Sequence, residues 1–236
     1  MHASKKNNIE WDNSNTPVCV ECGDVYYPKS GGLTAAEEVF LKLNLLPERL
    51  LLSQNFHIGE LGFGTGLNLF TLLYNIERMS QNCNANLYFT SVEYQPLEFE
   101  IIEKALSSWP QIKCIAHKFE RFISGLKPGI NTYAQYPNLH LTVIVEDINS
   151  AFSKFGSLPV DAWFLDGFNP AKNPAMWTEE VFRNMANHSY ENTTLSTWCV
   201  AGHVRRNLAS AGFTVEKVPV SGGKREHLRG KFRGEG

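Results

Sequence analysis

The chain has 236 residues, is 43% hydrophobic and carries a formal net charge of −2 at pH 7. This length and apolar content suffice to bury a sizeable core as one large domain or two small ones, and the charge argues against generic coating of nucleic acid. No apolar run approaches the roughly 18 residues that span a bilayer, and the polar amino terminus has no signal-peptide core, which predicts a cytoplasmic protein without a membrane segment.

The first predicted element is an amino-terminal extension, residues 1–50, which ends in a helix that packs on the same domain. Residues 16–28 read as extended chain, and "GGLTAAEEVFLKLNLL" has the apolar spacing of a helix with Thr34 as its N-cap. The extended part contains Cys19 and Cys22, a single C-x-x-C among five scattered cysteines. Because no second pair or Cys/His cluster follows, the motif predicts reduced structural thiols and no metal site.

Residues 51–236 are predicted to form one Rossmann-like domain of alternating strands and helices. A strand at Phe56–Leu61 leads through a glycine turn into a helix at about 66–79. The following strands are "NLYFTSVEY", "HLTVIVEDI" and "VDAWFLDGF", of which the last is the most apolar and is therefore expected at the centre of the sheet. A loop is predicted around Pro128–Pro137, before the third strand.

The carboxyl-terminal third continues the alternation. A helix at about 174–188, a strand at 193–200 and a helix at 202–211 precede two short strands in "GFTVEKVPV" and "KREHLRGKF". Strands that alternate with helices indicate βαβ units, so the predicted fold class is α/β, with a doubly wound, mostly parallel sheet. From Ala201 onward, eight basic and three acidic side chains give a local charge of +5. That charge fits either a solvated surface or a patch for a polyanion.

The glycine-rich turn after the first strand, "GELGFGTGLN", is the most informative stretch. In an open α/β sheet such a turn faces a ligand beyond the carboxyl ends of the strands, although a purely structural turn is the alternative. A dinucleotide fingerprint requires a small residue where Leu67 stands, which disfavours a nicotinamide dehydrogenase. The spacing E-x-G-x-G-x-G instead resembles motif I of class I S-adenosylmethionine-dependent methyltransferases. Its members here are Glu60, Gly62, Gly64 and Gly66.

Acidic residues close four consecutive predicted strands. A single one is often a loop acid or a helix cap, but four on neighbouring strands predict a lined cleft. Glu93 stands where a carboxylate can accept both ribose hydroxyls of a nucleoside, while Asp147 and Asp166 end the next two strands. The predicted cofactor is S-adenosyl-L-methionine. The predicted cofactor-binding residues are Glu60, Gly62, Gly64, Gly66, Glu93 and Asp147.

Longer stretches carry a more specific resemblance. Over nearly its whole length the chain resembles the methyltransferase domain of the MnmC family. The matching stretches are "DVYYPKSGGLTAAEEVFL", "GELGFGTGLN", "DAWFLDGFNPAKNPAMWTEEVF", "AGHVRRNLASAGF" and "GGKREHLRG". The resemblance implies transfer of a methyl group from S-adenosylmethionine to the primary amine of 5-aminomethyl(-2-thio)uridine at the tRNA wobble position, giving 5-methylaminomethyl(-2-thio)uridine.

Many members of that family also carry an FAD-dependent oxidase domain that makes this amine. Nothing like it follows Gly236, so the expectation is that this chain performs only the methylation, with the oxidase as an absent domain or a partner. The segment "NHSYENTTLSTW" departs from the family, in which a Pro-Gly-Gly turn is common before the fifth strand. The turn at Ser189–Thr193 is therefore expected to differ in shape rather than in chemistry.

Asp166 is the expected catalytic residue. A protonated alkylamine has no lone pair, so the site must bind the ammonium, take its proton and aim the nitrogen at the methyl donor. A carboxylate at a strand end suits this role by charge and by reach, and Asn169 and Pro170 are expected to shape the turn beside it. The alternative is that Asp166 merely caps that turn.

The remaining predicted contacts are to the anticodon arm of tRNA. Exposed bases commonly stack on aromatic side chains, which suggests Phe168, Trp177 and Trp198 as walls of a base pocket, although Trp177 fits a core position equally well and Trp198 favours one. Basic side chains are expected to meet phosphates. The predicted tRNA-binding residues are Phe168, Lys172, Trp177, Arg205, Arg206, Lys224 and Arg225. The resemblance alone suggests a lid over the cleft, formed by Tyr26, Gly31, Gly32 and Thr34.

Two other functions stay open at this point. A methyltransferase or aminopropyltransferase of the same fold could act on a small amine, and its activity would survive without RNA. A non-catalytic scaffold that binds RNA or a protein partner would fail to bind S-adenosylmethionine in calorimetry.

Overall fold

The computed structural model describes residues 8–28, 31–79, 83–219 and 226–234, which build one eight-stranded sheet and a small three-stranded sheet near the amino terminus. The strands are β1 Ile9–Trp11, β2 Pro17–Cys19, β3 Asp24–Val25, β4 Asn55–Leu61, β5 Asn86–Glu93, β6 Gly129–Tyr133, β7 Leu139–Val145, β8 Val160–Leu165, β9 Ser189–Thr197, β10 Phe213–Pro219 and β11 Glu226–Phe232.

Helices connect these strands. They are α1 Gly32–Ala35, α2 Glu48–Leu51, α3 Leu67–Glu77, α4 Phe99–Ala105, α5 Pro110–His117, α6 Glu120–Ile123, α7 Ile148–Ala151, α8 Glu179–Asn187 and α9 Gly202–Ser210. Helix α1 continues as the π-helical turn Ala36–Leu41. Among the described residues there are also four 3₁₀ turns, namely Lys42–Asn44, Leu106–Ser108, Phe152–Lys154 and Pro174–Trp177. None of the described helices has both the length and the apolar character needed to cross a membrane.

The strand order of the large sheet is β10-β11-β9-β8-β4-β5-β7-β6. The five strands from β9 to β7 are parallel, whereas β6, β10 and β11 pair antiparallel towards the two ends of the sheet. The predicted central position of β8 is confirmed, because β8 and β4 occupy the middle of the order. The chain runs outward from β4 to β5 and β7 and then returns to β8, so the order reverses beside β4. Such a reversal places a ligand crevice at the carboxyl ends of these strands.

The side chains of β8 explain its central place. Ala162 and Phe164 belong to the core on one face of the sheet, and Trp163 and Leu165 belong to the core on the other face. All four are buried. A strand covered on both faces needs apolar residues at consecutive positions, which is the run seen in the sequence. Gly59 on the neighbouring β4 leaves room for the indole, because a Cβ there would lie 2.3 Å from the Trp163 ring.

Two boundaries in the first two thirds of the chain differ from the sequence prediction. The predicted loop around Pro128–Pro137 contains the antiparallel edge strand β6, whose partly exposed residues lack the apolar signal of an inner strand. The first helix begins at Gly32 with Gly31 in the N-cap position, so the prediction of Thr34 as the N-cap is wrong. The pairing with β7 sets the boundaries of β6, and the fold of the preceding segment sets the start of the first helix. Local composition indicates neither.

The segment that departs from the family pattern forms a bulge at the start of β9. The strand begins at Ser189, four residues earlier than predicted, and its register against β8 shifts before Thr194. Asn192 adopts a φ of 74°, and the Thr193 hydroxyl donates to the carbonyl oxygen of Val160 at 2.6 Å. Because β8 and β9 are parallel, this bulge lies at the amino edge of the sheet, away from the crevice.

Side-chain hydrogen bonds tie the segment before β4 to the large sheet. Asn44 Nδ2 donates to Ser196 Oγ at 2.7 Å, and an Arg49 guanidinium nitrogen donates to Thr194 Oγ1 at 2.7 Å. Both acceptors are buried on β9. The helical segment from α1 to residue 44 is thereby held against the sheet, close to the crevice.

Candidate functional site

A cavity of about 970 Å³ opens at the carboxyl edge of the parallel strands. The glycine turn and the ends of β5, β7 and β8 form one side of it, and the amino-terminal segment and the start of β11 form the other. Pockets for cofactors and small ligands are typically about 300–1,000 Å³. The crevice expected from the reversal of strand order is therefore present, and it is large enough for a nucleoside cofactor.

The glycine turn has three left-handed φ angles, 102° at Gly62, 51° at Gly64 and 70° at Gly66. A Cβ at Gly62 would lie 2.4 Å from the carbonyl oxygen of Asp166, and one at Gly66 would lie 2.6 Å from the Phe70 ring. Gly62 and Gly64 line the cavity, whereas Gly66 is buried beside α3. The turn therefore combines tight packing with a stretch of backbone that a ligand can approach.

Glu60 lies behind the cavity wall. Only 1% of it is exposed, and its two carboxyl oxygens accept from Asn68 Nδ2 at 3.0 Å and from Ser91 Oγ at 2.7 Å. Burial raises the pKa of Glu60 to about 8, and these two hydrogen bonds oppose the rise. Glu60 does not line the cavity, and its two carboxyl oxygens are satisfied within the protein, so its predicted contact with the cofactor stays a prediction.

Glu93 and Asp147 line the cavity, as the sequence predicts for a cofactor site. The two oxygens of Glu93 accept the backbone N–H groups of Gly64 and Gln95, each at 2.9 Å, and backbone hydrogen bonds from Tyr94 and Phe63 also favour its ionised form. Burial raises the pKa of Glu93 against these hydrogen bonds. Asp147 is exposed and caps α7 by accepting the backbone N–H of Asn149 at 3.0 Å. Its contact with a cofactor stays a prediction.

Asp166 follows β8 directly, is half-buried and lines the cavity. Its Oδ2 accepts from Asn68 Nδ2 at 2.7 Å, and the Trp198 side chain donates a second hydrogen bond. Burial raises the pKa of Asp166 to about 7, although both hydrogen bonds lower it. A carboxyl group with this pKa is populated in both protonation states near neutral pH, which suits the binding of a cation and the transfer of a proton.

Aromatic side chains surround the turn that follows Asp166. Phe168 and Tyr26 line the cavity and meet edge to face, with ring centroids 5.2 Å apart. Trp177 is only 3% exposed, and its Nε1 donates to the carbonyl oxygen of Phe168 at 2.9 Å. The Trp177 ring thus occupies the core position that the sequence also allows and donates to the backbone of Phe168, so its contact with a base stays a prediction. Trp198 lines the cavity, whereas the sequence favours a core position for this residue.

Hydrogen bonds and an ion pair hold the amino-terminal segment against the turn that follows Asp166, at one side of the cavity. Asp24 Oδ2 accepts the backbone N–H of Asn169 at 2.8 Å, and Lys172 Nζ donates to the carbonyl oxygen of Gly23 and lies 3.4 Å from Asp24 Oδ1. We call these four residues the clasp. Lys172 thus has a partner within the protein in addition to its predicted tRNA contact. The residues expected to form a lid all line the cavity, namely Tyr26, Gly31, Gly32 and Thr34.

Carboxylates dominate the charge of the cavity, and no Lys or Arg of the described ranges lines it. The acids are Asp24, Glu38, Glu93, Glu146, Asp147, Asp166 and Glu226. Four of them pair with lysines outside the lining, in the pairs Asp24–Lys172, Glu38–Lys42, Glu146–Lys154 and Glu226–Lys217. Within the part of the chain that is described, Glu93, Asp147 and Asp166 form no ion pair with a basic side chain. Such a cavity attracts cations and repels phosphate.

Two of the arginines predicted to contact tRNA belong to the described residues, and neither lines the cavity. Arg205 and Arg206 are exposed in the first turn of α9, which begins just after the cavity residues Trp198 and Val200. Both side chains are exposed, and neither forms an ion pair with another residue of the described ranges. The other two predicted contacts, Lys224 and Arg225, lie outside the described residues.

The C-x-x-C pair lines the same cavity. The backbone N–H of Cys22 donates to Cys19 Sγ at 3.2 Å, and burial raises the pKa of the Cys22 thiol to about 12. Both thiols are free. Within the described residues, no group of three or more His, Cys, Asp or Glu side chains is arranged to hold a metal ion.

Sequence reasoning missed two residues of the site, Asn68 and Asp24. The signal for Asn68 is its place in the first turn of α3, directly after the glycine turn, as a buried polar residue among apolar ones. Asp24 gives no comparable signal, because its partner Asn169 lies 145 residues further along the chain. Only the folded arrangement brings those two together.

Comparisons with known proteins agree with this geometry. A family model described as S-adenosyl-L-methionine-dependent methyltransferase matches residues 100–233. The chain is 40% identical over 229 residues to the tRNA 5-methylaminomethyl-2-thiouridine biosynthesis bifunctional protein MnmC of Stutzerimonas stutzeri, covering 95% of this chain and 34% of that protein. It is 42% identical over 228 residues to the MnmC protein of Leptospira borgpetersenii, with the same coverage. The chain thus spans about a third of the length of these curated relatives.

Solved structures share the fold. The crystal structure of MnmC2 from Aquifex aeolicus matches with a TM-score of 0.74 at 21% identity, covering 97% of this chain and 71% of that one. Spermidine synthase from Thermotoga maritima matches with a TM-score of 0.52 at 11% identity, covering 94% and 70%. At these identities the likeness concerns the fold alone, and it confirms the predicted α/β class. Because the family model covers more than half of the chain, the chain belongs to the S-adenosyl-L-methionine-dependent methyltransferases, in the family of the MnmC methyltransferase domain.

Proposed function

We propose that the chain methylates the primary amine of 5-aminomethyl(-2-thio)uridine at the wobble position of tRNA. One observation carries the proposal. Asp166, with a pKa of about 7, lies in a cavity that is lined by acids and by no Lys or Arg of the described residues. Both ligands of the reaction are cations, a sulfonium and an ammonium, and a cavity of this charge favours them over anionic ligands. The names of the MnmC relatives supply the tRNA nucleoside.

The residues around the glycine turn fit S-adenosylmethionine. Gly62 and Gly64 expose backbone to the cavity, and Glu93 presents a carboxylate for hydroxyl groups at the adjoining strand end. Asp147 stands at the rim of the same side. When bound, S-adenosylmethionine supplies a methyl group on a positively charged sulfur. The acids of this side favour that charge by attraction, since no basic side chain of the described ranges lines the cavity.

Asp166 is the residue that binds the amine and accepts its proton in this proposal. Near pH 7 about half of the Asp166 carboxyl groups are ionised, and an ionised carboxylate attracts the ammonium form of the substrate. The amine must lose one proton before its nitrogen has a lone pair for attack, and in this proposal Asp166 accepts that proton. Phe168 and Tyr26 offer an aromatic corner against which a base can pack.

The tRNA itself meets the rim of the cavity in this proposal. Arg205 and Arg206 are exposed there without an ion-pair partner among the described residues, so their charge is available for phosphates. Lys172 is held in the clasp, and a phosphate contact would compete with Asp24. An FAD-dependent oxidase, as a further domain or a separate partner, would supply the aminomethyl group, and a role on tRNA would place the chain in the cytoplasm.

The test is methyl transfer to defined tRNA. The chain is incubated with methyl-labelled S-adenosylmethionine and tRNA that carries 5-aminomethyl-2-thiouridine, and the digested nucleosides are separated by mass spectrometry. We expect one labelled methyl group on the wobble nucleoside. The matched control is the same tRNA with unmodified uridine at that position, which should stay unlabelled. Absence of label from both tRNAs, under conditions where S-adenosylmethionine binds in calorimetry, would refute the proposal.

A small amine is the second candidate substrate, because an acidic cavity of this kind also suits polyamines and other alkylammonium compounds. The likeness to spermidine synthase concerns the fold alone and adds no support. The two candidates separate in one assay. Methyl transfer to free amines that does not depend on RNA would favour the small-molecule enzyme, and failure to bind S-adenosylmethionine at all would favour the scaffold.

A further inference from the structure

Asn68 joins two acids that belong to different strands. Its Nδ2 donates to Glu60 Oε1 at 3.0 Å and to Asp166 Oδ2 at 2.7 Å. Glu60 belongs to β4, and Asp166 follows the parallel neighbour β8. A carboxamide nitrogen has two hydrogens, so each acid receives one of them. Because both neighbours are carboxyl groups, hydrogen bonding orients the nitrogen of the amide, rather than its oxygen, towards them.

Glu60 does not line the cavity, and both of its carboxyl oxygens accept hydrogen bonds within the protein. Its second oxygen accepts from Ser91 Oγ at 2.7 Å, and both Glu60 and Ser91 are at most 1% exposed. Asn68 is 4% exposed and is fixed at the start of α3 by the glycine turn. A buried acid that is held by Ser91 on one side can hold Asn68 on the other. The orientation of Asn68 then determines where Asp166 Oδ2 lies.

We propose that Asn68 is a positioning residue for Asp166, and that Glu60 acts as the buried anchor of Asn68 rather than as a ligand of the cofactor. The importance of this for turnover rests on the role of Asp166 in the proposed function. The geometric claim itself concerns only the protein. Asn68 fixes one oxygen of Asp166 and stabilises its ionised form, so the loss of Asn68 affects both the direction and the charge of the carboxylate.

Other titratable groups share the cavity with Asp166. They are Cys19, Cys22, Asp24 and Tyr26 from the amino-terminal segment, Glu38 from the helical segment that follows, Glu93 from the end of β5, Glu146 and Asp147 after β7, and Glu226 and His227 from β11. Burial disfavours the ionised form of Asp166, and no Lys or Arg of the described residues lines the cavity to offset that cost. The hydrogen bonds from Asn68 and Trp198 are therefore the main features that favour the ionised form.

The test follows the titration of the Asp166 side-chain carboxyl by ¹³C NMR in the absence of tRNA, with Asp166→Asn used to assign its resonance. We expect Asn68→Ala to raise the pKa of Asp166 by about 1 unit. Asn75→Ala is the matched control, because Asn75 stands on the same helix and donates only to the carbonyl oxygen of Thr71. It should leave the titration unchanged. Asn68→Ser, which offers one short donor in place of two, should give a shift in the same direction and keeps the test available if the alanine variant is unstable.

Activity adds a readout that a merely structural role would not produce. With its pKa raised by about 1 unit, Asp166 would be ionised about fivefold less often at pH 7 but almost fully at pH 9. We expect kcat of Asn68→Ala to fall about fivefold at pH 7 and to recover most of the loss at pH 9, with the KM for S-adenosylmethionine unchanged.

Glu60 variants separate the anchor from the cofactor ligand. Glu60→Gln keeps an oxygen that can accept from Asn68, so affinity for S-adenosylhomocysteine should stay within about twofold of the wild type; a direct cofactor ligand would lose more. The double variant Glu60→Ala with Asn68→Ala should be no worse in kcat than Asn68→Ala alone. An unshifted titration of Asp166 in both Asn68 variants would overturn the inference. Failure of the wild type to methylate tRNA would count against the proposed function only, because the titration does not involve tRNA.

Discussion

Asp161 and Asp166 stand near opposite ends of the same strand, β8, and their surroundings differ. At the amino edge, Asp161 accepts the backbone N–H of His57 at 2.7 Å and the Tyr190 hydroxyl, and the guanidinium of Arg49 contributes a nearby positive charge. At the carboxyl edge, Asp166 accepts hydrogen bonds from neutral side chains and has no ion-pair partner among the described residues. The negative charge of Asp161 is thus compensated by a basic side chain of the protein, whereas the charge of Asp166 is not compensated by any of the described residues.

The contacts of Arg49 explain how the negative charge of Asp161 is compensated at the amino edge. It donates to Thr194 Oγ1 at 2.7 Å and to the carbonyl oxygen of Asp161 at 3.2 Å, and it lies 4.8 Å from the centre of the Phe56 ring. Burial lowers the pKa of Arg49, and the charge of Asp161 opposes this. At the amino edge, where no ligand is proposed to bind, the carboxylate has a basic partner, which favours stability. At the carboxyl edge, where the proposed ligands are cations, the carboxylates without basic partners lower the stability of the folded protein.

The largest expected effect comes from Asp166. Asp166→Asn removes the charge and the proton acceptor, so turnover should fall about 100-fold or more while affinity for S-adenosylhomocysteine is kept. Single-turnover methyl transfer and calorimetry measure the two quantities. Glu180→Gln, an exposed acid on α8, is the control and should retain full turnover. Wild-type turnover in Asp166→Asn would remove this residue from the mechanism.

The amino edge is tested through stability. Arg49→Leu removes the positive charge beside the Asp161 carboxylate and the hydrogen bonds to Thr194 Oγ1 and to the carbonyl oxygen of Asp161, so the free energy of unfolding should fall by about 2–4 kcal/mol. Urea denaturation measures this. Arg78→Leu removes an exposed arginine that also packs on an aromatic ring, that of Tyr74, and should change the stability by less than about 0.5 kcal/mol. Equal effects of the two substitutions would contradict the contrast between the edges.

A third prediction concerns pH. The pKa of Asp166 is about 7 in the folded protein and lies near its ordinary value in the unfolded chain, so the folded state binds more protons between these limits. This contribution to stability is complete below about pH 4 and is lost as the pH rises through about 7. In the absence of ligand, the stability of the wild type relative to Asp166→Asn should therefore fall by about 1 kcal/mol per unit between about pH 5 and 7. A constant difference between the two proteins would show that Asp166 has an ordinary pKa.

The clasp gives the smallest expected effect. Asp24→Ala leaves the backbone N–H of Asn169 without its acceptor and removes the carboxylate beside Lys172, which should cost about 1 kcal/mol of stability. The KM for tRNA should rise as well if the clasp shapes the entrance. Thermal denaturation and steady-state kinetics check these effects. Glu179→Ala, which breaks an exposed ion pair with Arg183, should change the stability by less than about 0.5 kcal/mol and leave the KM unchanged.

Much of the fold follows from local patterns in the sequence. The apolar run of β8, the glycine turn and the alternation of strands with helices each report on neighbouring residues, and each predicted the right element. The edge strand β6 could not be predicted in this way, because its residues are partly exposed and their composition does not indicate the pairing with β7. The start of β9 was likewise decided by its bulge against β8, not by the turn residues alone.

For the site, the sequence by itself determined which acids stand at the ends of strands. Three of these acids, Glu93, Asp147 and Asp166, line the same cavity in the structure. The sequence could not determine which acid faces inward. Glu60 is turned into the protein by Asn68 and Ser91, and Trp177 is buried behind Phe168. The physical reason is that a strand's side chains alternate between surroundings that distant segments build. Only the tertiary structure therefore decides whether a carboxylate meets solvent, a ligand or an internal donor.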